Sequence, residues 1–569
     1  MDWKILVTVL VGLVIFGFVR FCSDENKPDW DKVRSEEMSK AAAARESEKV
    51  KERRSKKAHA LEVSREKRGK RPEEKTGVIK SKDYEAVFTT RGGSLKSFTL
   101  KHPQYVEHPR NWDTGAREKD SETLVPVNMV STNPDFELNN PLRFEIFQGL
   151  DGFITDADYE LIEKTATRVV FRYKQSNLPV VITKKFEINK ASETFQIWAT
   201  VQVTNTGDKK VSFLPGMVQT GYQSTDEVSG GMFSKQPNLL QGLCRHGDDE
   251  LYRVPWNDSD ALPGYTGLNV MFAAVETNYF ISAMIPSDDL PATCQIRASW
   301  PRGSGDDPSW GLIRAEIRWG EISLQPGQSK VFKVKNYLGP KRYKLLQATG
   351  HDLEKSVDFG WFAPISRILL WLLFMFQKLI INWGLAIILL TVTVKVVLLP
   401  VAHKSFKSTD RMKALKPEVD KINEQYKDDP QEKQKKVMAL YKQHKVNPLG
   451  GCLPMLLQMP IWIALFRTLR SSPELYRAPF IGWITDLSEP DPYFVTPILM
   501  GIAMFIQQQL TPMTGDNAQA QMMKYLMPIM FTGMMLFLPS GLTLYIFVNV
   551  ILSIAHQLFI QKMRDRATA

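Results

Sequence analysis

A chain of 569 residues is long enough for two or more separately packed domains, and its mean hydropathy below zero excludes a protein embedded in membrane throughout. The net charge of +11 is not interleaved with aromatics as a nucleic-acid surface would be. It sits in one linker and one loop between apolar segments, a pattern that suits anionic lipid surfaces. Four cysteines, at 22, 244, 294 and 452, lack paired metal-ligand spacing, which argues against zinc.

Residues 5–19 are apolar and are followed by Arg20, Phe21 and Cys22 rather than by a small-residue cleavage site. This predicts an uncleaved signal anchor over 1–22, with a cleaved signal as the alternative. Residues 23–77 are mixed in charge and poor in aromatics, and read as a flexible linker.

From 78 to 345 the period changes to two. In 195–204 Phe195, Ile197, Ala199, Val201 and Val203 fall on one face. Similar runs occur at 84–90, 168–174, 180–188, 270–275, 279–285 and 331–337, separated by turn signals such as Gly92-Gly93 and Gln325-Pro326-Gly327-Gln328. They predict a large antiparallel sandwich. Cys244 and Cys294 lie in it and are close enough in sequence to pair, although spacing alone leaves the bond open. A sugar-processing site there would need converging groups; His102, His108 and His246 fall in no motif and read as surface loop histidines.

Residues 346–382 are apolar and aromatic in their second half but carry Arg367, Gln377 and Lys378. They read as an interfacial amphipathic region, with a membrane span as the alternative. Five spans follow, at 383–402, 450–469, 492–510, 522–538 and 541–560. The loop 403–448 reads as a charged helical hairpin, Lys404–Tyr426 and Gln431–His444, with Asp429 as N-cap and Pro430 in the first turn. It holds twelve Lys and Arg against two in 469–492, and Lys562, Arg564 and Arg566 lie in the tail. The loop and the C-terminus are therefore assigned to the inside and the sandwich to the outside. The linker 27–75, with seventeen basic and eleven acidic residues, opposes that assignment.

Within the first of these five spans stands Lys395. A cation there costs on the order of 2.5–3.5 kcal/mol on insertion scales, so it either serves a function or snorkels to the nearer membrane face.

Several stretches resemble the YidC/Oxa/Alb family of membrane-protein insertases. They are Asn382-Trp383-Gly384, Lys445-Val446-Asn447-Pro448-Leu449-Gly450-Gly451-Cys452, Gln458-Met459-Pro460-Ile461, Ala478-Pro479-Phe480, Asp491-Pro492-Tyr493, Pro497-Ile498-Leu499-Met500-Gly501 and Phe537-Leu538-Pro539-Ser540-Gly541-Leu542. Together they cover about the last 210 residues. Thr90-Arg91-Gly92-Gly93 resembles the family's Gram-negative periplasmic domain more loosely. The resemblance implies a polytopic α-helical membrane protein of the inner membrane, with an N-terminal anchor, a five-helix insertase core and a periplasmic all-β super-sandwich domain. It also implies a hydrophilic groove open to the cytoplasm and lipid. The family's groove cation is usually arginine; here the aligned residue is Lys395, which keeps the charge and loses the bidentate fork. Thr391 and Tyr545 match polar groove positions, and Ile546 replaces a second tyrosine.

Mechanism then follows from the residues. A wet half-channel shortens the apolar barrier for a polar tail, and a fixed cation attracts its carboxylates. Lys395, Thr391, Gln458 and Tyr545 are the expected groove residues. Met455, Met459, Met500, Met504, Met527 and Met530 are the expected substrate slide, because unbranched thioethers repack against varied helices. The plainer reading of each methionine is lipid-facing filler. Expected partners are nascent membrane-protein substrates, the Sec translocon, the ribosome near the hairpin and tail, and anionic phospholipids. No nucleotide loop or catalytic triad appears, so no enzyme activity, cofactor or metal is expected. A secondary transporter would show paired repeats, which are not found. A translocon assembly factor would leave Lys395 dispensable.

Overall fold

The computed structural model describes residues 72–109, 123–130, 140–150, 152–155, 157–175, 178–188, 194–223, 240–247, 251–255, 269–287, 289–299, 311–427, 429–444, 446, 453–510 and 518–568. The expected anchor (1–22), nearly all of the linker, and most of the Lys445–Cys452 motif lie outside the described residues. Glu74–Ala569 form one compact unit.

The alternating runs become two facing antiparallel sheets. The larger has nine strands, in the order Leu251–Pro255, Gln241–His246, Val270–Glu276, Phe280–Pro286, Ser329–Pro340, Gln196–Asn205, Val180–Glu187, Arg168–Lys174 and Glu160–Lys164. The smaller is built on Ala292–Ser299, Gly311–Trp319, Val211–Gln223 and Ile322–Leu324, with Arg143–Gln148 paired to Val211–Gln223. In Gln196–Asn205 the expected residues Ile197, Ala199, Val201 and Val203 are all buried, and the register pairs Ala199 with Val334 and Val201 with Phe332. Phe195 is buried too, but it stands before the strand at φ +60°. The sheets approach closely at Gly242, where a Cβ would strike Ile296 of the facing sheet. A Cys244–Cys294 disulfide joins them, with Cα atoms 6.0 Å apart.

A three-stranded sheet, Thr76–Lys80, Tyr84–Thr89 and Ser94–Leu100, packs on the larger one through stacked Phe88 and Phe186 rings, 4.3 Å between centroids. Its Thr90–Gly93 turn needs positive φ at Gly92 (67°) and Gly93 (50°) and offers its carbonyls inward. The fully buried Lys184 donates to Gly92 O at 2.6 Å and sits 4.5 Å from the centre of the Tyr159 ring. Burial pushes its amine well below the ordinary lysine range. That motif is therefore structural.

Among the described residues nine α-helices follow: α1 (Tyr343–Thr349), α2 (Ala363–Ile380), α3 (Trp383–Ala414), α4 (Lys416–Gln425), α5 (Pro430–Gln443), α6 (Leu453–Ser471), α7 (Val495–Leu510), α8 (Ala518–Met535) and α9 (Ser540–Thr568). Among the described residues three segments are long and apolar enough to cross a membrane: Gly360–Ile380, Trp383–His403 and Ser540–Met563. Val495–Leu510 and Tyr525–Met535 are shorter apolar helices.

The expected helix Lys404–Tyr426 is instead split: α3 continues to Ala414, and α4 starts afresh. Pro417 explains the break: it has no amide hydrogen to continue the preceding helix, its ring would clash with the carbonyl four residues back, and it suits the first turn of a new helix. Asp429 caps α5 as expected, its Oδ1 accepting from the amides of Gln431 and Glu432 at 3.0 Å.

The helices share a core that includes Leu373, Ala386, Ile387, Leu390, Leu465, Met500, Met535 and Tyr545. α2 lies on α3 and α6, α3 on α9, and α9 on α7, which also packs α8. The 472–494 loop then ties the bundle to the β domain. Gln104 Nε2 donates to the carbonyls of Glu474 (2.6 Å) and Tyr476 (2.7 Å), and the Tyr476 ring meets Tyr279 and Phe280.

Candidate functional site

α3 and α9 run parallel, since both begin at the 472–494 loop. Asn382 Nδ2 donates to Phe480 O at 2.9 Å, and Ser540 Oγ donates to Asp486 O at 2.8 Å. Four-residue spacing puts Thr391, Lys395, Leu399 and His403 on one face of α3, and Tyr545, Asn549, Ser553 and Gln557 on one face of α9. The two faces meet as a seam.

At its centre Lys395 Nζ donates to Ser553 Oγ at 2.6 Å and to Asn549 Oδ1 at 3.1 Å. The Ser553 hydroxyl proton goes to Asn549 O at 2.7 Å, which leaves the Ser553 oxygen free to accept from the lysine. Lys395 lies twelve residues beyond Trp383, about 18 Å along the axis and past the middle of a roughly 30 Å hydrocarbon layer. Both partners are neutral. They solvate the ammonium without cancelling its charge.

Thr391, one turn nearer the 472–494 loop, is buried, and its Oγ1 donates to Ile387 O at 2.7 Å. It contributes to the seam's packing and makes no bond to Lys395. Tyr545 is buried in the helical core, where its hydroxyl has no hydrogen-bond partner among the described residues, and Gln458 of α6 is half-buried. In the other direction the His403 and His556 rings stand 6.5 Å apart. Polar groups thus continue from the level of Tyr545 to that of His403.

The methionines separate. Met530 is 60% exposed and Met459 44%, while Met504 and Met527 are half-buried. Met500 is fully buried in the helical core and presents no surface. The side chain of Met455 lies outside the described residues. Met530 shares an apolar exposed surface of α7 and α8 with Ile498, Ile502, Phe505, Leu526 and Ile529.

Asn549 and Ser553 were not among the residues expected from sequence. Their signal was present all the same: Asn549, Ser553 and Gln557 recur every four residues in an otherwise apolar helix, where polar groups seek a partner. Of the three histidines read as surface loop residues, His246 is instead buried at the end of strand Gln241–His246, and no group of three or more metal-ligating side chains occurs among the described residues.

A β domain followed by a bundle of apolar helices, with one lysine held across a parallel helix pair, defines a multi-span membrane protein. Residues 77–372 match the family model described as YidC periplasmic domain, and residues 375–567 match the one described as 60Kd inner membrane protein. "Membrane protein insertase YidC" of Anaeromyxobacter dehalogenans (strain 2CP-C) is 35% identical over 504 residues, covering 87% of this chain and 86% of that protein. The protein of the same name from Geobacter sp. (strain M21) is 35% identical over 487 residues, with 84% of each covered. A solved active YidC insertase with its first transmembrane domain resolved shares 20% identity, over 85% of this chain and 92% of that one, at a TM-score of 0.34. The chain belongs to the YidC family of membrane protein insertases. It is an inner-membrane protein with a periplasmic domain, and its substrates are membrane proteins.

Proposed function

We propose that this insertase draws the short polar tail of a substrate along the α3–α9 seam, with Lys395 as the attracting charge. The observation that carries this reading is the neutrality of the lysine's partners, Asn549 and Ser553. A cation paired with a carboxylate would have little field left, whereas one held by an amide and a hydroxyl keeps it. A carboxylate brought to about 4 Å would gain about 4 kcal/mol at an effective dielectric of 20, comparable to the cost of taking a charge into the bilayer. Lys395, Gln458 and Tyr545 are the groove residues of this reading, with Thr391 in support. The apolar part of the substrate would leave over α6, α7 and α8, where Met459 and Met530 are accessible and Met504 and Met527 are close to the surface.

The topology that goes with it has the 403–448 hairpin and the C-terminus in the cytoplasm. Both ends of α2 support this. Near its start Ser366 bonds Ala464 O and Asp358 pairs with Arg467, and beyond its end Asn382 bonds Phe480. Those partners belong to the end of α6 and the loop tied to the periplasmic domain, so α2 starts and finishes at the same face. On this reading 346–382 is interfacial, and the five spans of 383–569 begin with α3. The basic hairpin and tail then face the ribosome and anionic lipid headgroups. Cooperation with the Sec translocon, implied by the family resemblance, would use the same seam.

Reconstituted liposomes test the proposal. The substrate is a single-span protein with an acidic N-terminal tail, scored by protease protection. Wild type and Lys395→Arg insert it, and Lys395→Ala loses at least tenfold. Equal insertion by all three would remove Lys395 from the mechanism.

A further inference from the structure

A second cationic site lies away from the seam, where the periplasmic domain meets the end of α6. A cavity of about 250 Å³ there is lined by Arg253, Lys341, Arg467 and Arg470, with Glu276 and Asp358 as its acids. Four cations against two carboxylates leave these lining groups a formal charge of +2. The acids are already engaged. Glu276, itself buried, pairs with Lys341 at 2.7 Å and with Arg253, and Asp358 pairs with Arg467 at 3.1 Å. Arg253 is further fixed by donating to Ser356 O at 2.7 Å. Lys341 is 4% exposed and lines the cavity, where Glu276 holds its ammonium.

The position of the cavity narrows the ligand. Arg467 and Arg470 end a helix whose preceding residues are apolar, at the level where a span would leave the hydrocarbon. Asp358 is three residues before Trp361, which is 99% exposed, and α2 continues with Ile368 and Trp371 also exposed. Exposed tryptophan beside arginine at a helix end is the composition of a membrane interface. Guanidinium forks with a lysine match a phosphate's tetrahedral oxygens, and the volume is below that of drug-sized pockets but suits a small headgroup.

We propose that this cavity binds the phosphodiester headgroup of an anionic phospholipid in the periplasmic leaflet, holding the periplasmic domain against the end of α6. This site is separate from the basic linker and hairpin that composition singled out for lipid contact. It shares no residue with the insertion seam.

The test uses the full-length chain in nanodiscs of phosphatidylcholine containing phosphatidylglycerol, with lipids retained after a delipidating wash identified by native mass spectrometry. Wild type is expected to keep one phosphatidylglycerol per chain in preference to phosphatidylcholine. The double variant Arg467→Gln/Arg470→Gln should reduce that occupancy at least fivefold, and Arg467→Lys/Arg470→Lys should keep most of it, which separates lost charge from lost fold. Equal retention by wild type and the glutamine variant would overturn the site, as would equal retention of the two lipids. A parallel arm measures thermal stabilisation of detergent-solubilised protein by inorganic phosphate. If free phosphate stabilises wild type as strongly as phosphatidylglycerol does, the ligand is a soluble phosphate and the lipid assignment is overturned.

Discussion

Lys395 and Ser553 meet at 2.6 Å across two parallel helices, and the serine's own proton is committed to Asn549 O at 2.7 Å. The bond direction is thereby fixed: the lysine donates and α9 accepts. A half-buried charge within an apolar helix is held in place by groups that cannot neutralise it.

Removing the acceptors should therefore cost more than an ordinary hydrogen bond. A hydrogen bond to a charged group contributes about 1.5–3 kcal/mol, and this half-buried ammonium would lose two of them. Asn549→Leu/Ser553→Ala is expected to lower the thermal midpoint of the purified protein by several degrees. Adding Lys395→Met to that background should restore most of the loss, because the charge goes with its partners. A triple variant no more stable than the double one would show that the three residues are not coupled.

The contact between the periplasmic domain and the bundle should depend on pH through Glu474. Burial pushes this carboxyl up to about 7 from an ordinary value of 4.5, against the opposing pull of Arg342. The folded protein then holds a proton that the unfolded chain releases. Its contribution is fully present below about pH 4.5 and is lost as pH rises through about 7, a span on the order of 3 kcal/mol. Hydrogen exchange in 474–478 should accelerate from pH 5.5 to 8 beyond the intrinsic base-catalysed rate. Glu474→Gln should remove that excess; an unchanged excess would assign it to another group.

The Cys244–Cys294 bond closes a loop with a sequence separation of 50 and ties one sheet of the sandwich to the other. The chain-entropy relation gives about 4 kcal/mol for a loop of that length, and the well-packed surroundings of Gly242 leave little room for the sheets to adjust. Cys244→Ala/Cys294→Ala should lower the urea midpoint of the periplasmic domain and steepen the slope, because the unfolded chain without the cross-link exposes more surface. Insertion by the surviving folded fraction should be unaffected. An unchanged midpoint would mean that packing alone fixes the sheets.

Much of this architecture could be read directly from the residues, and the exceptions have physical causes. Strands such as Gln196–Asn205 announce themselves because one face is buried and the other is not. Lys395 stood out because a cation inside an apolar helix has few explanations. Asn549 and Ser553 did not stand out, because neutral polar residues are tolerated singly in membrane helices and only their four-residue spacing marks a face. Met500 passed for a surface methionine because composition does not tell which side of a helix meets its neighbours. The break at Leu415 was hidden by charged residues that favour helix on both sides, and Pro417 was its only sign. Pairing of Cys244 with Cys294 needed the Cα separation of 6.0 Å, which no spacing supplies.

The central claim is that Lys395 acts by attracting negative charge on the translocated tail. It is tested most directly by insertion into proteoliposomes of one single-span substrate whose tail carries zero, one, two or three carboxylates, with wild type and Lys395→Ala compared at each. The expected result is near-equal insertion of the uncharged tail and a deficit of the alanine variant that widens with each added carboxylate. A deficit of the same size for every tail, or none for any, would contradict it.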